Sequence, residues 1–241
     1  MILLDPHAKL VIGHRGASGR FPENTLLSYE EGLEAGADAL EVDIRVTRDS
    51  VPVAIHDPTL ARTAGRNEAI ADLTAGALAA LDLGEREGIP TLASVLECFP
   101  SVPLILDIKE KAASQPVIDV LNRCGAHKRV LIGSFDRSPL PPFRQLGIAT
   151  VAARLETAAF WGASRVGWPW LPVPYAAFSV PIRSSGVTVV DSRFLGLAQR
   201  KALPVHVWTI DDPNVATALW SAGACGIITN YPDRMRGLLT R

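Results

Sequence analysis

Cysteine is scarce in this chain, charge is balanced, and long apolar runs are missing. The three cysteines, Cys98, Cys124 and Cys225, lie far apart in apolar surroundings and outside any CxxC or Cys/His pattern. That spacing excludes a disulfide framework and a thiolate zinc centre, and leaves reduced, buried thiols as the expectation. A formal net charge of -1 excludes attraction to nucleic acid or to an acidic membrane surface by bulk charge, so any anion must be recognised locally. No apolar run approaches the length of a membrane span, and Met1-Ile2-Leu3-Leu4-Asp5-Pro6 is too short and lacks the basic start of a secretory signal. A soluble, cytoplasmic protein without a transmembrane segment is the expectation.

What the chain does contain is apolar sequence suited to a sizeable core: 48% of its 241 residues are hydrophobic and 20% are charged. No internal repeat, low-complexity tract or linker interrupts it, which predicts one domain over residues 1–241. Lys9 to Gly13 reads as a buried strand that ends in a glycine-rich loop. Pro22-Glu23-Asn24-Thr25 then caps a helical pattern running to Gly36. Ala39 to Val46 is a second strand, with Glu41, Asp43 and Arg45 on one face because side chains alternate with period two. Thr47-Arg48-Asp49-Ser50 turns the chain back into Val51 to Ile55, too soon for a parallel crossover, so a hairpin is predicted. With a two-residue tip at Asp49-Ser50, His56 would stand opposite Asp43 on the same face.

After an excursion over Pro58 to Gly88, strands at 103–109, 130–135, 148–153, 187–190, 204–209 and 226–229 alternate with helical patterns, separated by a less regular region at 156–181. About eight strands alternating with helices predict a single TIM-like (β/α)8 barrel, α/β in class, with a hairpin excursion after the second strand. Phe160 to Pro172 is rich in Trp, Gly and Pro. Two readings of it stand: a weak lipid or acyl-chain contact through Trp161–Trp170, or a helix and loop packed on the barrel exterior.

Seven ionisable groups converge on strand ends and the hairpin: His14, Arg15, Glu41, Asp43, His56, Asp107 and Lys109. In a barrel, the C-terminal ends of strands carry the active site. Such groups are costly inside apolar sequence unless they pair or bind an ion. Three carboxylates, Glu41, Asp43 and Asp107, with no cysteine nearby suit a hard divalent cation, Mg²⁺ or Ca²⁺, better than zinc. Arg15 and Lys109 add fixed positive charge for an anion such as phosphate. His14 and His56 are two proton carriers that can flank one phosphorus, which points to phosphodiester cleavage. Taken singly, each residue also has a structural explanation, a satisfied histidine or a Glu41–Arg45 ion pair. All seven together do not.

The blocks His14-Arg15-Gly16-Ala17, Pro22-Glu23-Asn24-Thr25, Glu41-Val42-Asp43, His56-Asp57 with Leu60-Ala61-Arg62-Thr63, Pro90-Thr91-Leu92, Asp107-Ile108-Lys109, Ser134-Phe135, Val207-Trp208-Thr209 and Gly226-Ile227-Ile228-Thr229-Asn230-Tyr231-Pro232-Asp233 resemble, in order, those of the glycerophosphodiester phosphodiesterase family. The resemblance spans about residues 9–240. It implies a TIM-like barrel, a divalent cation, and hydrolysis of a small-molecule glycerophosphodiester to glycerol 3-phosphate and an alcohol. It further implies His14 and His56 as the catalytic pair, Glu41, Asp43 and Asp107 as metal ligands, and Arg15 and Lys109 at the phosphate. The substrate's own glycerol hydroxyl as first nucleophile, through a cyclic phosphate, is also implied.

Against that pattern Asp107 replaces the usual Glu, so it is expected to bind through water or to favour a different ion. Asn230 and Cys225 each replace an Asp, and the excursion after His56 is short, which leaves the glycerol pocket open. His206 and Trp208 alternate on one strand face, which makes Trp208 either an apolar wall of the substrate site or a core aromatic. Two alternatives stand beside the diesterase reading: a lysophospholipase D that houses an acyl chain near Trp161–Trp170, and a non-catalytic phosphate-binding barrel. Oligomeric state leaves no sequence signature here.

Overall fold

Apolar strands separated by capped helices build a closed barrel. The computed structural model describes residues 1–168 and 170–239. Its strands are β1 (Leu10–His14), β2 (Ala39–Val46), the antiparallel return β3 (Pro52–Ala54), β4 (Leu104–Ile108), β5 (Val130–Gly133), β6 (Phe178–Pro181), a small hairpin of β7 (Arg183–Ser184) and β8 (Val187–Thr188), β9 (Val205–Trp208) and β10 (Gly226–Thr229). Parallel pairing runs β5-β4-β2-β1-β10-β9-β6. The ring closes through Thr150 and Val151, which bridge to Ile132 and Ala177 as a very short fifth stave.

Around it lie α1 (Leu26–Glu34), α2 (Ala61–Ala64), α3 (Ala75–Ala79), α4 (Leu92–Cys98), α5 (Ser114–Cys124), α6 (Pro141–Gln145), α7 (Arg154–Val166), α8 (Ser192–Arg200), α9 (Pro213–Ala222) and α10 (Pro232–Leu239). Side-chain caps fix several starts. Thr25 accepts from the Ser28 N–H, and Asp191 from Arg193 and Phe194. Each such cap satisfies amides that the helix itself leaves open, and contributes about 1 kcal/mol.

The period-two alternation sorts the strands into an outer and an inner face. On β2 and β4, Leu40, Val42, Ile44, Leu104, Leu106 and Ile108 pack outward against α4 and α5 with Val95, Val117 and Leu121. Inward lie Leu10, Ile12, Ala39, Ile105, Leu131, Val151, Ala177 and Ile228, which fill the lower barrel together with Leu3 from a 3-10 turn at Ile2–Leu4. Continuing the same inward positions toward the strand C-termini brings His14, Glu41, Asp43 and Asp107 to the mouth. The core therefore determines what faces the site.

Four expectations are corrected. Of the three free thiols only Cys225 is buried, whereas Cys98 is exposed and Cys124 half-buried, both near the C-terminal ends of surface helices α4 and α5. The sixth stave is Phe178–Pro181, not the 187–190 run, whose Val187–Thr188 pairs locally with Arg183–Ser184. Much of 156–181 is likewise regular, as helix α7 and strand β6. The β2–β3 turn has three residues, Arg48-Asp49-Ser50, because the Thr47 N–H bonds the Val51 carbonyl and Ser50 takes a left-handed φ of 59°. That shifts the register by one: Ile55, not His56, bonds opposite Asp43. A one-residue slip inverts the face. His56 nevertheless turns into the mouth, because the ladder ends before it.

Candidate active site

The loop after β1 is shaped by backbone strain as much as by side chains. Arg15 has φ 54°, Gly16 φ 87° and Asn24 φ 57°. At Gly16 a side chain is impossible, since a Cβ would lie 2.2 Å from the Ser28 carbonyl oxygen. Asn tolerates the left-handed region, whereas for Arg it costs roughly 1 kcal/mol. What this achieves is orientation: the Arg15 N–H reaches Glu41, at both its carbonyl (3.0 Å) and its Oε2 (3.2 Å), and the guanidinium lies over Asp43 with Nε 2.8 Å from Oδ2.

Asp43 is the hub. Lys109 Nζ approaches its Oδ1 at 2.6 Å, and Asn24 Nδ2 donates to its Oδ2 at 3.0 Å while Asn24 Oδ1 accepts from the Asp43 N–H and from Tyr29. Register places Asp107 beside Asp43 and Glu41 beside His14. Burial pushes the Asp43 carboxyl up, but Lys109 and Arg15 outweigh it and hold it below its usual value. Glu41 has no such pairing: burial and the neighbouring Asp43 push its carboxyl well up. Lys109, also penalised by burial, is held charged by Asp107, Asp43 and Glu41.

Ligand oxygens of Glu41, Asp43 and Asp107 all lie within 4.8 Å of one another. Three carboxylates face two fixed cations, Arg15 and Lys109, a formal deficit of one positive charge. A divalent cation would turn that deficit into an excess of one, which a phosphodiester monoanion neutralises. The donor set is all oxygen, which suits Mg²⁺ or Ca²⁺. Asp107, one methylene shorter than Glu, keeps a carboxylate in the cluster, with its Oδ2 shared with Lys109 Nζ.

The two histidines have separate supports. His14 Nδ1 is 2.7 Å from Asn230 Oδ1, and burial and Arg15 push its imidazole below the usual value. His56 Nδ1 is 2.7 Å from Asp57 Oδ1. Arg62 then ties Asp57 (2.6 Å) to Glu23 (2.7 and 2.8 Å), and Glu23 in turn accepts from Arg15 at 3.0 Å. A continuous polar chain thus runs from His56 to Asp43. In both rings Nδ1 is the nitrogen engaged by these contacts.

All eight residues singled out from the sequence, His14, Arg15, Glu41, Asp43, His56, Asp107, Lys109 and Trp208, line one cavity of about 1220 Å³ at the C-terminal ends of the staves. Trp208 is half-buried, packs on the inner core and lines this cavity. Trp161 also lines it, donating Nε1–H to the Thr188 carbonyl at 2.9 Å under a stacked Arg165. Trp168 and Trp170 are exposed and Pro169 lies outside the described residues. In the sequence, Asn24, Glu23, Arg62 and Asp57 stand out only as parts of motifs. Their supporting roles come from partners up to 39 residues distant, which spacing does not reveal.

Comparison with known proteins gives a consistent result. The model of the glycerophosphoryl diester phosphodiesterase family matches residues 14–234. The probable glycerophosphodiester phosphodiesterase 2 of Mycobacterium tuberculosis is 31% identical, over 96% of this chain and 90% of its own. A human lysophospholipase D is 25% identical over 95% and 85%. Among solved structures, an Oleispira antarctica phosphodiesterase in complex with the product sn-glycerol-3-phosphate superimposes with a TM-score of 0.81 at 23% identity, over 96% of this chain and 97% of that one.

Proposed function

Because the chain belongs to the glycerophosphoryl diester phosphodiesterase family and is thus a phosphoric diester hydrolase, we propose that it cleaves glycerophosphodiesters to glycerol 3-phosphate and an alcohol by His14/His56 acid-base catalysis beside a divalent cation. The observation that carries this reading is the convergence of two imidazoles, three oxygen acids and two cations on one cavity. Glu41, Asp43 and Asp107 would hold the cation, Mg²⁺ or Ca²⁺, and when bound it supplies charge stabilisation for the non-bridging phosphate oxygens. Arg15 and Lys109 orient the phosphate by charge-assisted hydrogen bonds, and Trp208 walls the organic part of the substrate. One imidazole removes the proton of the nucleophile, glycerol hydroxyl or water, at its Nε2. The other returns a proton to the departing alkoxide oxygen.

A second substrate class is favoured by one feature: the lining of the cavity extends beyond the acids to Leu155, Ala158 and Trp161 of α7 and to Val187 and Val189, apolar side chains that a small polar headgroup does not call for. A lysophospholipid would place its acyl chain there, in keeping with the lysophospholipase D relative. Release of glycerol 3-phosphate from a panel of glycerophosphodiesters, with and without EDTA, tests the first reading. Failure of every diester to be cleaved in the presence of Mg²⁺ or Ca²⁺ would overturn it. Lysophosphatidylcholine in the same panel, scored by release of choline, decides between the two classes.

A further inference from the structure

Asp211 lies just beyond β9 and Asn230 just beyond β10, and neither lines the cavity. They nevertheless form a chain that ends on His14. Asp211 Oδ1 accepts from Thr229 Oγ1 (2.9 Å) and from the Asn230 N–H (2.8 Å), while its Oδ2 lies 2.7 Å from the Asn230 side-chain amide. A carboxylate only accepts, so the group of Asn230 that faces Asp211 is the NH₂ and the group that faces His14 Nδ1, at 2.7 Å, is the carbonyl. That carbonyl also only accepts. Ser18 Oγ lies 2.8 Å from Asn230 Oδ1 and 2.7 Å from the His14 carbonyl, and its single proton is donated to one of these two acceptors at a time.

We propose that Asp211 is a positioning residue for His14, acting through the amide of Asn230 to hold the imidazole proton on Nδ1 and to leave Nε2 open to the cavity. The hydrogen-bond direction is transmitted by elimination: carboxylate to amide NH₂, amide carbonyl to Nδ1–H. Asn at position 230 is thereby a working element. It fixes the tautomer with a neutral group and keeps the carboxylate one hydrogen bond away from the ring. The catalytic consequence rests on the reading of the site given above, whereas the tautomer does not.

Asp211→Asn is nearly isosteric and tests the chain. Two donors, Thr229 Oγ1 and the Asn230 N–H, keep the new carbonyl oxygen in the place of Oδ1, so the new NH₂ takes the place of Oδ2 and faces Asn230. Asn230 must then present its carbonyl to that new donor, and its own NH₂ turns to His14, which demands an Nε2–H ring. Long-range ¹⁵N–¹H NMR of the histidine side chains at pH 8 with Mg²⁺ present, with His14 assigned by a His14→Gln spectrum, reads this directly. The expected result is an Nδ1–H tautomer in the wild type and an Nε2–H tautomer in Asp211→Asn. Glycerophosphocholine turnover should show kcat reduced by roughly 10- to 1,000-fold with KM little changed, as when a base is held in the wrong tautomer.

Asn230→Ala removes the intermediary, and adding Asp211→Asn to it should cost nothing further, since the carboxylate acts only through that amide. An Nε2–H ring in the wild type overturns the proposal. So does an unchanged His14 spectrum or unchanged kcat in Asp211→Asn, or a double variant whose losses multiply. If no diester is turned over at all, the tautomer measurement still decides the positioning role independently. If Asp211→Asn does not fold, the Asn230→Ala spectrum decides: loss of the fixed Nδ1–H tautomer supports the proposal and its retention overturns it.

Discussion

Two inward-facing histidines stand at opposite ends of this barrel. At the mouth, His14 lies among carboxylates and cations, with Nδ1 tied to Asn230 and Nε2 3.9 Å from Glu41. At the floor, His206 is fully buried, with Nε2–H donated to the Leu3 carbonyl at 2.9 Å and Nδ1 without a partner among the described residues. Burial lowers both, but at the floor the Leu3 carbonyl alone opposes it and the ring is pushed down to about 4. At the mouth Asn230, Asp43 and Glu23 work against burial and against Arg15. The difference teaches that burial alone makes a histidine an inert hydrogen-bond donor. Only a surrounding of opposed charges keeps one available for proton transfer. His206 instead pins the 3-10 turn at Ile2–Leu4 beneath the barrel, where Cys225 Sγ also donates to the Pro6 carbonyl at 3.2 Å.

The sharpest way to break this contrast is to truncate each end in turn. His14→Ala and His56→Ala are each expected to lower turnover by about 100- to 10,000-fold, the usual contribution of a general acid or base, while thermal stability changes little. His206→Ala should do the reverse, lowering the melting temperature while leaving kcat of the folded fraction intact. Glycerol 3-phosphate release and thermal melts on the same three variants measure both columns. A catalytic loss in His206→Ala would erase the distinction between mouth and floor. Metal removal comes next: EDTA should lower both turnover and the melting temperature, and Mg²⁺ or Ca²⁺ should restore both, since an ion bound only by the folded carboxylates stabilises by mass action. An unchanged melt after chelation would remove the cation from Glu41, Asp43 and Asp107.

The mouth was legible because its chemistry interrupts apolar strands. Glu41 and Asp43 alternate with the apolar Leu40, Val42 and Ile44 of β2, and Asp107 lies in the apolar β4, so their types and spacing point to a site rather than to a core. The floor was not, because His206 sits in an ordinary apolar stave and its partner Leu3 is 203 residues away. The sixth stave was missed for a local reason: Phe178-Ser179-Val180-Pro181 follows a proline-rich stretch and ends in proline, whereas Val187 to Val190 has the stronger β-branched signature. The hairpin register failed because Ser50 at positive φ gives a three-residue turn that Asp49-Ser50 does not announce. In each failure the deciding contact is tertiary or a single backbone angle.

Packing at the floor gives a smaller, purely structural test. Gly226 pairs with His206 across β9 and β10, and a Cβ there would lie 2.3 Å from His206 Nδ1 and 2.8 Å from Ile12 Cδ1. Gly226→Ala should therefore destabilise by about 2 kcal/mol, in the range of core overpacking, as read by urea denaturation, with kcat of the folded protein unchanged. Wild-type stability would mean that the imidazole can swing aside, and that the floor is looser than its burial implies.

The smallest effect concerns acid. The unfolded chain protonates the His206 imidazole as pH falls through about 6.5, but the folded chain does so only near 4. Between those values the unfolded state binds more protons, so this residue makes stability fall as pH falls, and has no effect above about pH 7.5. Taking pH 7.5 to pH 5.5, its share is about 1.4 kcal/mol, one pH unit below the unfolded value. The mouth complicates the raw profile: the raised Glu41 works in the opposite direction and the lowered His14 in the same one. Both titrate alike in the wild type and in His206→Gln, whose amide can still donate to Leu3. Subtracting the two urea-denaturation profiles should therefore leave a difference of about that size, growing toward pH 4 and levelling below it. Parallel profiles would show that His206 takes up its proton as readily in the barrel as in the unfolded chain, and that its burial does not set its charge.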